Sequence, residues 1–115
     1  MESVKKNPQQ PAVRDVSAEE VLEKKGQLFL VDVRTSEELV GELGKIEGIH
    51  HVPLDQIGGR FTELPKDRTI VFVCRSGGRS AAATAFVQDQ GYDVYNMEGG
   101  MLRWNEKDLP VVRGS

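Results

Sequence analysis

The stretch that most constrains this chain runs over residues 69–91. Residues 70–73 form an unbroken run of β-branched and aromatic side chains, which is typical of a strand covered on both faces. The only cysteine, Cys74, comes next, and two adjacent glycines then allow a sharp backbone turn. An alanine-rich helix is predicted to begin at Ser80 and to end before the next glycine. The stretch therefore predicts a buried strand, a tight turn that carries a cysteine, and a helix.

This junction favours a negatively charged sulfur. A strand–turn–helix connection directs backbone N–H groups inward and places the positive end of the helix dipole beside Cys74. Arg75 and Arg79 add full positive charges, and both effects favour the nucleophilic thiolate. A lone cysteine that only fills space in the core is the alternative. The close succession of glycines, arginines and helix favours an anion-binding nucleophile site, with its sulfur ionised and open to solvent.

The rest of the chain alternates between strand and helix patterns. Strands are predicted at residues 13–16, 28–33, 51–54, 69–73 and 94–97. Helices are predicted after the capping boxes of residues 17–20 and 35–38 and over residues 55–64, 80–90 and 100–105. The helix that starts at the second box is expected to carry Leu39 and Val40. This order predicts an α/β domain with a mainly parallel central sheet and helices on both faces.

Two polar segments are expected to meet at one edge of that sheet. Residues 32–34 and Cys74 each follow a predicted strand, and ligands bind beyond the carboxyl ends of such strands. Asp32 and Arg34 are predicted mainly as a buried pair that braces the loop, with direct substrate contact as the alternative. Trp104 is predicted to anchor the core rather than to form a wall of the pocket.

The two loop arginines have different predicted roles. Arg75 begins the turn and should point to the mouth of the site, where it meets the substrate. The guanidinium group of Arg79 either binds the substrate anion or pairs with an acidic side chain, while its backbone N–H closes the cradle.

These motifs together resemble the rhodanese-like sulfurtransferase family. The segment Cys74-Arg75-Ser76-Gly77-Gly78-Arg79-Ser80 is similar to that family's active-site loop. Residues 32–34 and 44–54, and the closing Gly99-Gly100 with Trp104, match other family signatures in the same order. Lys45, Glu47 and Ile49 depart from the usual residues, at positions away from the loop.

The resemblance implies a single rhodanese-like domain over residues 12–110 that works as a thiosulfate sulfurtransferase. In such an enzyme Cys74 carries a persulfide sulfur from a small anionic donor to cyanide, a thiol or a protein acceptor. The anion cradle would consist of Arg75, Ser76, Gly77, Gly78, Arg79 and Ser80. No metal or organic cofactor is implied.

Two other functions stay open at this point. One is a cysteine enzyme of the phosphatase or arsenate-reductase type, but those loops place five residues between cysteine and arginine, and here there are four. The other is a non-catalytic rhodanese-like binding or sulfur-carrier module.

Composition limits the classes of binding partner and the cellular locations that we expect for this chain. A net charge of −3 gives no reason to expect nucleic acid or an anionic membrane surface as a partner. One cysteine, with no apolar run long enough for a membrane span or a signal peptide, predicts a cytoplasmic location. The polar residues 1–11 are expected to form a flexible tail. Residues 111–115 are expected to form a C-terminal tail whose final Arg-Gly-Ser is typical of a cloning remnant.

Overall fold

Strands and helices alternate along the chain in the computed structural model, which describes residues 1–114. The strands are β1 Lys5–Lys6, β2 Arg14–Val16, β3 Leu28–Asp32, β4 His50–His51, β5 Thr69–Val73 and β6 Val94–Met97. The α-helices are α1 Ala18–Glu23, α2 Ser36–Leu39, α3 Leu54–Arg60, α4 Gly78–Asp89 and α5 Gly100–Glu106. Two 3-10 turns lie at Lys25–Gln27 and Phe61–Glu63.

The strands form one sheet in the order β1-β2-β6-β5-β3-β4. All neighbouring strands are parallel except β1 and β2, which are antiparallel. Strand β5 lies between β3 and β6, and Asp32 is paired with Val73 at the carboxyl ends of β3 and β5. The residues that follow these strands, Val33 and Cys74, therefore leave the sheet at the same edge.

The sheet separates two apolar clusters. Val71 and Val73 of β5 face a cluster that includes Val21 of α1 and Trp104 of α5. The alternate β5 side chains face a second cluster, which includes residues from α3 and α4. Because successive side chains of a strand point to opposite faces, an all-apolar strand must be covered on both sides. The predicted α/β fold with helices on both faces is confirmed.

The N-terminal segment lies against the domain, in place of the flexible tail expected for residues 1–11. Strand β1 extends the sheet beside β2. The Glu20 carboxylate accepts hydrogen bonds from the backbone N–H groups of Glu2 and Ser3. The Asn7 side chain donates to Asp15 at 3.0 Å. Polar composition indicated flexibility, but these bonds to distant residues hold the segment in place.

Several element boundaries differ from those predicted. Helix α2 ends at Leu39, and Val40 is exposed rather than packed on a continuing helix. Helix α4 begins at Gly78 instead of Ser80, and β4 occupies residues 50–51 instead of 51–54. The capping box of Thr35 and Glu38 is present as predicted, so the signal for the start of α2 was correct and only its length was overestimated.

The C-terminal segment is also joined to the domain. Lys45 and Val112 exchange two backbone hydrogen bonds of 2.9 Å, so residues 111–112 are not a free tail. Ser115, the last residue of the tail expected from the sequence, lies outside the described residues. None of the helices within residues 1–114 has the length and apolar character that a membrane crossing requires.

Candidate active site

The candidate site is the loop between β5 and α4. Cys74 follows the last residue of β5, and Gly77 forms the N-cap of α4 with a φ of 104°. This left-handed conformation strains any residue that has a Cβ atom. A Cβ at Gly77 would also lie 3.3 Å from the backbone nitrogen of Gly99. The glycine predicted to turn the chain is therefore required both by its backbone angle and by its close contact with the start of α5.

The sulfur of Cys74 is buried and is surrounded by polar groups. Cys74 is only 1% exposed, so the expectation of a solvent-open sulfur is wrong. Its Sγ atom accepts a hydrogen bond from the backbone N–H of Gly77 at 3.1 Å and lies 3.2 Å from the Ser80 hydroxyl oxygen. The loop therefore turns an amide toward the sulfur, as predicted, while it shields the sulfur from bulk water.

The beginning of α4 supplies further hydrogen-bond donors. The first bond within the helix runs from the N–H of Ala81 to the carbonyl of Gly77. The N–H groups of residues 78–80 precede that bond and have no carbonyl within the helix to which they can donate. No side chain caps this end of α4. The helix dipole adds partial positive charge at the same place, so this end of α4 can bind an anion.

The two loop arginines are placed differently in the structure. Arg75 is exposed and lines a cavity of about 230 Å³ together with Arg34 and Glu38. Arg79 forms two hydrogen bonds of 2.7 Å with the Glu38 carboxylate. Of the two roles left open for the guanidinium group of Arg79, the structure thus has the pairing with an acidic side chain.

This ion pair shifts the titration of both partners. Hydrogen bonds from Arg79 lower the pKa of Glu38 to about 2, although partial burial opposes its ionisation. The same bonds raise the pKa of Arg79, and the charge of Cys74 contributes further to that rise. Arg79 therefore holds a permanent positive charge near the sulfur while it ties α2 to the loop.

Asp32 and Arg34 form the buried brace that was predicted. Arg34 is 1% exposed and Asp32 is fully buried, and their charged atoms approach to 2.8 Å. Arg34 also donates to the carbonyl oxygens of Gly44, at 2.9 Å, and Glu38. An uncompensated buried charge would be costly, but here each guanidinium nitrogen of Arg34 donates to an acceptor. The pair fixes the segment that carries Glu38 beside the loop.

The N-terminus of α5 supports the loop from behind. The N–H of Met101 donates to the carbonyl of Cys74 at 2.8 Å, and that of Leu102 donates to Arg75 at 2.9 Å. A Cβ at Gly100, whose φ is 57°, would overlap the Cys74 carbonyl oxygen. The sequence showed Gly99-Gly100 only as part of a family signature, and it provided no signal for this contact with the loop.

Trp104 and the two adjacent histidines make their polar and aromatic contacts outside the Cys74 loop. Trp104 is fully buried in the core and donates from Nε1 to the carbonyl of Pro110. His51 bonds the carbonyl of Arg34 through Nε2, whereas His50 stacks on Phe29. Among residues 1–114, no three side chains of metal-ligating type lie together. Two polar neighbours of the loop, Glu38 and Asn96, were not identified from the sequence as members of the site.

Comparison with known proteins relates most of the chain to one domain family. The model of the rhodanese-like domain matches residues 17–107. A sulfurtransferase of Allochromatium vinosum is 42% identical over 86 residues, which cover 74% of this chain and 78% of the relative. The putative sulfurtransferase YtwF of Bacillus subtilis is 34% identical over 98 residues, or 85% of this chain and 93% of the relative. The crystal structure of a rhodanese-related protein from Thermoplasma volcanium has a TM-score of 0.81 and 30% identity, and covers 85% of this chain and 96% of its own.

Proposed function

Because the chain belongs to the rhodanese-like domain family, we propose that it is a sulfurtransferase that uses a persulfide on Cys74. The donor is a small anion that carries a sulfane sulfur, such as thiosulfate. The acceptor is a thiophilic nucleophile, such as cyanide, a thiol or a protein thiol.

The first half-reaction loads the enzyme. The Cys74 thiolate attacks the outer sulfur of thiosulfate and forms a new S–S bond. The original S–S bond breaks, and sulfite leaves with its electron pair. Cys74 then carries a terminal sulfur with a negative charge, which is held by the amide of Gly77 and the unpaired amides at the start of α4. Such fixed donors stabilise an anion without having to reorganise during the reaction.

The second half-reaction returns the enzyme to its first state. The acceptor attacks the terminal sulfur, and the S–S bond to Cys74 breaks with its electron pair on the cysteine. Cyanide would leave as thiocyanate and a thiol as a persulfide. Because donor and acceptor react in turn with one cysteine, the kinetics should be of the ping-pong type.

Arg75 is suited to receive the anionic end of the donor. Arg75 is exposed and lines a cavity beside the loop, whereas Arg79 is held by Glu38. Arg75 therefore attracts the donor, and Arg79 contributes charge from a fixed position. Since Cys74 is buried, side chains at the loop must move aside for the donor to reach the sulfur.

The hydrogen bond from the Gly77 amide to the Cys74 sulfur carries this proposal. A cysteine that only filled space in the core would have no need of an amide donor directed at it. The loop has four residues between Cys74 and Arg79, a shorter loop than the phosphatase type, and it makes a cradle suited to sulfur rather than to a tetrahedral phosphate.

Mass spectrometry of the intact protein tests the proposal. Incubation with thiosulfate should add the mass of one sulfur atom, and cyanide or dithiothreitol should remove it. Cys74→Ser should show no added mass and no thiosulfate:cyanide transfer, because serine cannot form the persulfide. Its circular dichroism spectrum should match that of the wild type.

Retained transfer in Cys74→Ser would rule out the nucleophile assignment. An unchanged mass of the wild type across thiosulfate, glutathione persulfide and a protein persulfide would favour the non-catalytic binding module. A persulfide that forms but turns over only with a protein acceptor would identify a sulfur carrier.

A further inference from the structure

A line of buried polar side chains leads from the N-terminal segment to the Cys74 sulfur. Asn7 and Asn96 each donate a side-chain hydrogen bond to the Asp15 carboxylate, at 3.0 and 2.9 Å. The Ser80 hydroxyl contacts both Asn96 Oδ1 and Cys74 Sγ. All five residues are buried, and Ser80 is fully inaccessible. Polar groups are costly in a core unless they are satisfied, so this chain of contacts calls for a physical reason.

The bonding capacities of these groups set the direction of each hydrogen bond. Asn96 turns its NH₂ group toward Asp15, whose carboxylate oxygen accepts this hydrogen bond. Its carbonyl oxygen Oδ1 then faces Ser80, and this oxygen also can only accept. A serine hydroxyl has a single hydrogen. In this arrangement Ser80 gives that hydrogen to Asn96 and presents an oxygen lone pair to the sulfur.

We propose that Asn96, oriented by Asp15, is a positioning residue that draws the Ser80 hydrogen away from Cys74 and so restrains the reactivity of the sulfur. The proposal rests on the proposed function only in that Cys74 is the nucleophile. With its hydrogen given to Asn96, the Ser80 hydroxyl offers the sulfur no donor, and the hydrogen bonds that join Ser80, Asn96 and Asp15 lead away from Cys74. The backbone amide of Gly77, which is not part of this path, still donates a hydrogen bond to the sulfur.

Charge on the sulfur changes the competition for the Ser80 hydrogen. Hydrogen bonds to ionised groups are roughly twice as strong as neutral ones, so a thiolate competes with Asn96 for this hydrogen. If the hydroxyl turns to the sulfur, a buried carbonyl oxygen of Asn96 loses its partner, which is unfavourable. Asn96 thus opposes the attacking form of Cys74 without touching the sulfur.

The rate at which iodoacetamide alkylates Cys74 at one fixed pH tests the proposal without requiring sulfur transfer. Asn96→Ala should react faster than the wild type by about two- to tenfold, the range that corresponds to one hydrogen bond. Ser80→Ala should react faster than the wild type but more slowly than Asn96→Ala. It removes the oxygen lone pair that faces the sulfur, but it supplies no hydrogen-bond donor in its place. The double variant Asn96→Ala/Ser80→Ala should react at the rate of Ser80→Ala, because Asn96 acts only through the Ser80 hydroxyl.

Two further variants separate this effect from a general loosening of the core. Asn96→Leu removes the same acceptor without leaving a cavity and should also accelerate alkylation, so it replaces Asn96→Ala if that protein is poorly folded. Asn105→Ala is the matched control. Its side-chain amide also makes hydrogen bonds inside the protein, donated to the carbonyl oxygens of Leu43 and Met101, but it has no hydrogen bond to Ser80 or Cys74. The alkylation rate of Asn105→Ala should therefore equal that of the wild type.

The proposal is overturned if neither Asn96 variant reacts faster than the wild type. It is also overturned if the Asn96 substitution accelerates the Ser80→Ala protein by the same factor as it accelerates the wild type, because Asn96 would then act independently of Ser80. Failure of thiosulfate to load the wild type would remove the proposed function but would leave the order of alkylation rates unaffected.

Discussion

At the scale of single residues, Glu38 and Arg79 show how a charged pair joins the loop to helix α2. Glu38 accepts from Arg79 and also closes the capping box of α2 through Thr35. One carboxylate thus fixes both the beginning of a short helix and an arginine of the candidate site. The side chains of Glu38 and Arg79 are 28% and 37% exposed, so solvent screens part of their attraction.

Replacing Glu38 with glutamine should lower the stability at neutral pH by about 1 kcal/mol, the upper end for a partly exposed pair. Glutamine still completes the capping box, so the substitution isolates the ion pair. In the folded protein the pKa of Glu38 is about 2, which is below its ordinary value of about 4.3. The pair therefore stabilises the fold above that ordinary value, and the stabilisation is lost as the pH falls toward 2.

Urea unfolding of wild type and Glu38→Gln between pH 7 and pH 3 measures this effect. The difference in unfolding free energy should shrink steadily as the pH falls. Glu37→Gln is the control, because Glu37 is the exposed neighbour on the same helix, and it should change stability little at any pH. A difference for Glu38→Gln that does not vary with pH would contradict the assignment.

At the scale of elements, the candidate site lies where strand β5 and helices α4 and α5 meet. Strand β5 delivers Cys74, α4 turns its N-terminus toward the sulfur, and α5 donates two backbone hydrogen bonds to the carbonyls of Cys74 and Arg75. Gly77 and Gly100 allow these backbones to approach so closely. The shape of the loop therefore depends on α5, which follows it by more than twenty residues in the sequence.

Gly100→Ala should destabilise the protein by several kcal/mol, on the order of 3, because a Cβ at positive φ would also overlap the Cys74 carbonyl. The displaced loop should also load sulfur from thiosulfate more slowly. Urea unfolding and the rate of the thiosulfate-dependent mass increase measure the two effects.

Gly58→Ala is the matched control for this substitution. Gly58 lies within α3, and a Cβ there meets no atom within 4 Å. Alanine should therefore leave the stability unchanged or raise it by up to about 1 kcal/mol, since glycine is a poor helix former. A Gly100→Ala protein as stable as Gly58→Ala would show that the contact between α5 and the loop can be relaxed at little cost.

At the scale of the whole molecule, the sheet separates two apolar cores, and successive side chains of its central strands belong to one core and then the other. Trp104 belongs to the core on the α1 and α5 side. Its indole N–H bonds the carbonyl of Pro110 at 2.9 Å, which links α5 to the C-terminal segment. Trp104 is thus a member of the core, and the loop that carries Cys74 lies at the carboxyl edge of the sheet.

Trp104→Ala should lower the free energy of unfolding by about 3 to 5 kcal/mol, as expected when a buried aromatic ring is removed. Trp104→Phe keeps an aromatic ring but loses the indole hydrogen bond and should cost less. At a temperature where both variants are folded, the KM for thiosulfate should equal that of the wild type. Unfolding is followed by circular dichroism, because Trp104 is the only tryptophan and its replacement removes the tryptophan fluorescence signal. A raised KM in the folded Phe variant would place Trp104 in the site.

Local patterns predicted the central part of this fold well. The apolar runs at β3, β5 and β6 and the closing helix α5 were located within one or two residues, because burial on both faces leaves a continuous apolar signal. The predicted length of α2 and the predicted flexible N-terminal tail were wrong because no local apolar pattern determines these features. Where α2 ends depends on packing, and β1 forms only because another strand and the side chains of Asp15 and Glu20 lie beside it.

By itself, the sequence determined the order of strands and helices, the position of the single cysteine at the end of a buried strand, and the glycines and arginines of its loop. These features follow from periodicity and backbone preference, which act between near neighbours. Only the tertiary structure decided that the sulfur is buried, that Arg79 is held by a carboxylate 41 residues away, and that the Ser80 hydroxyl lies between Cys74 and Asn96. These outcomes depend on distant side chains that reach the loop only once the sheet has assembled.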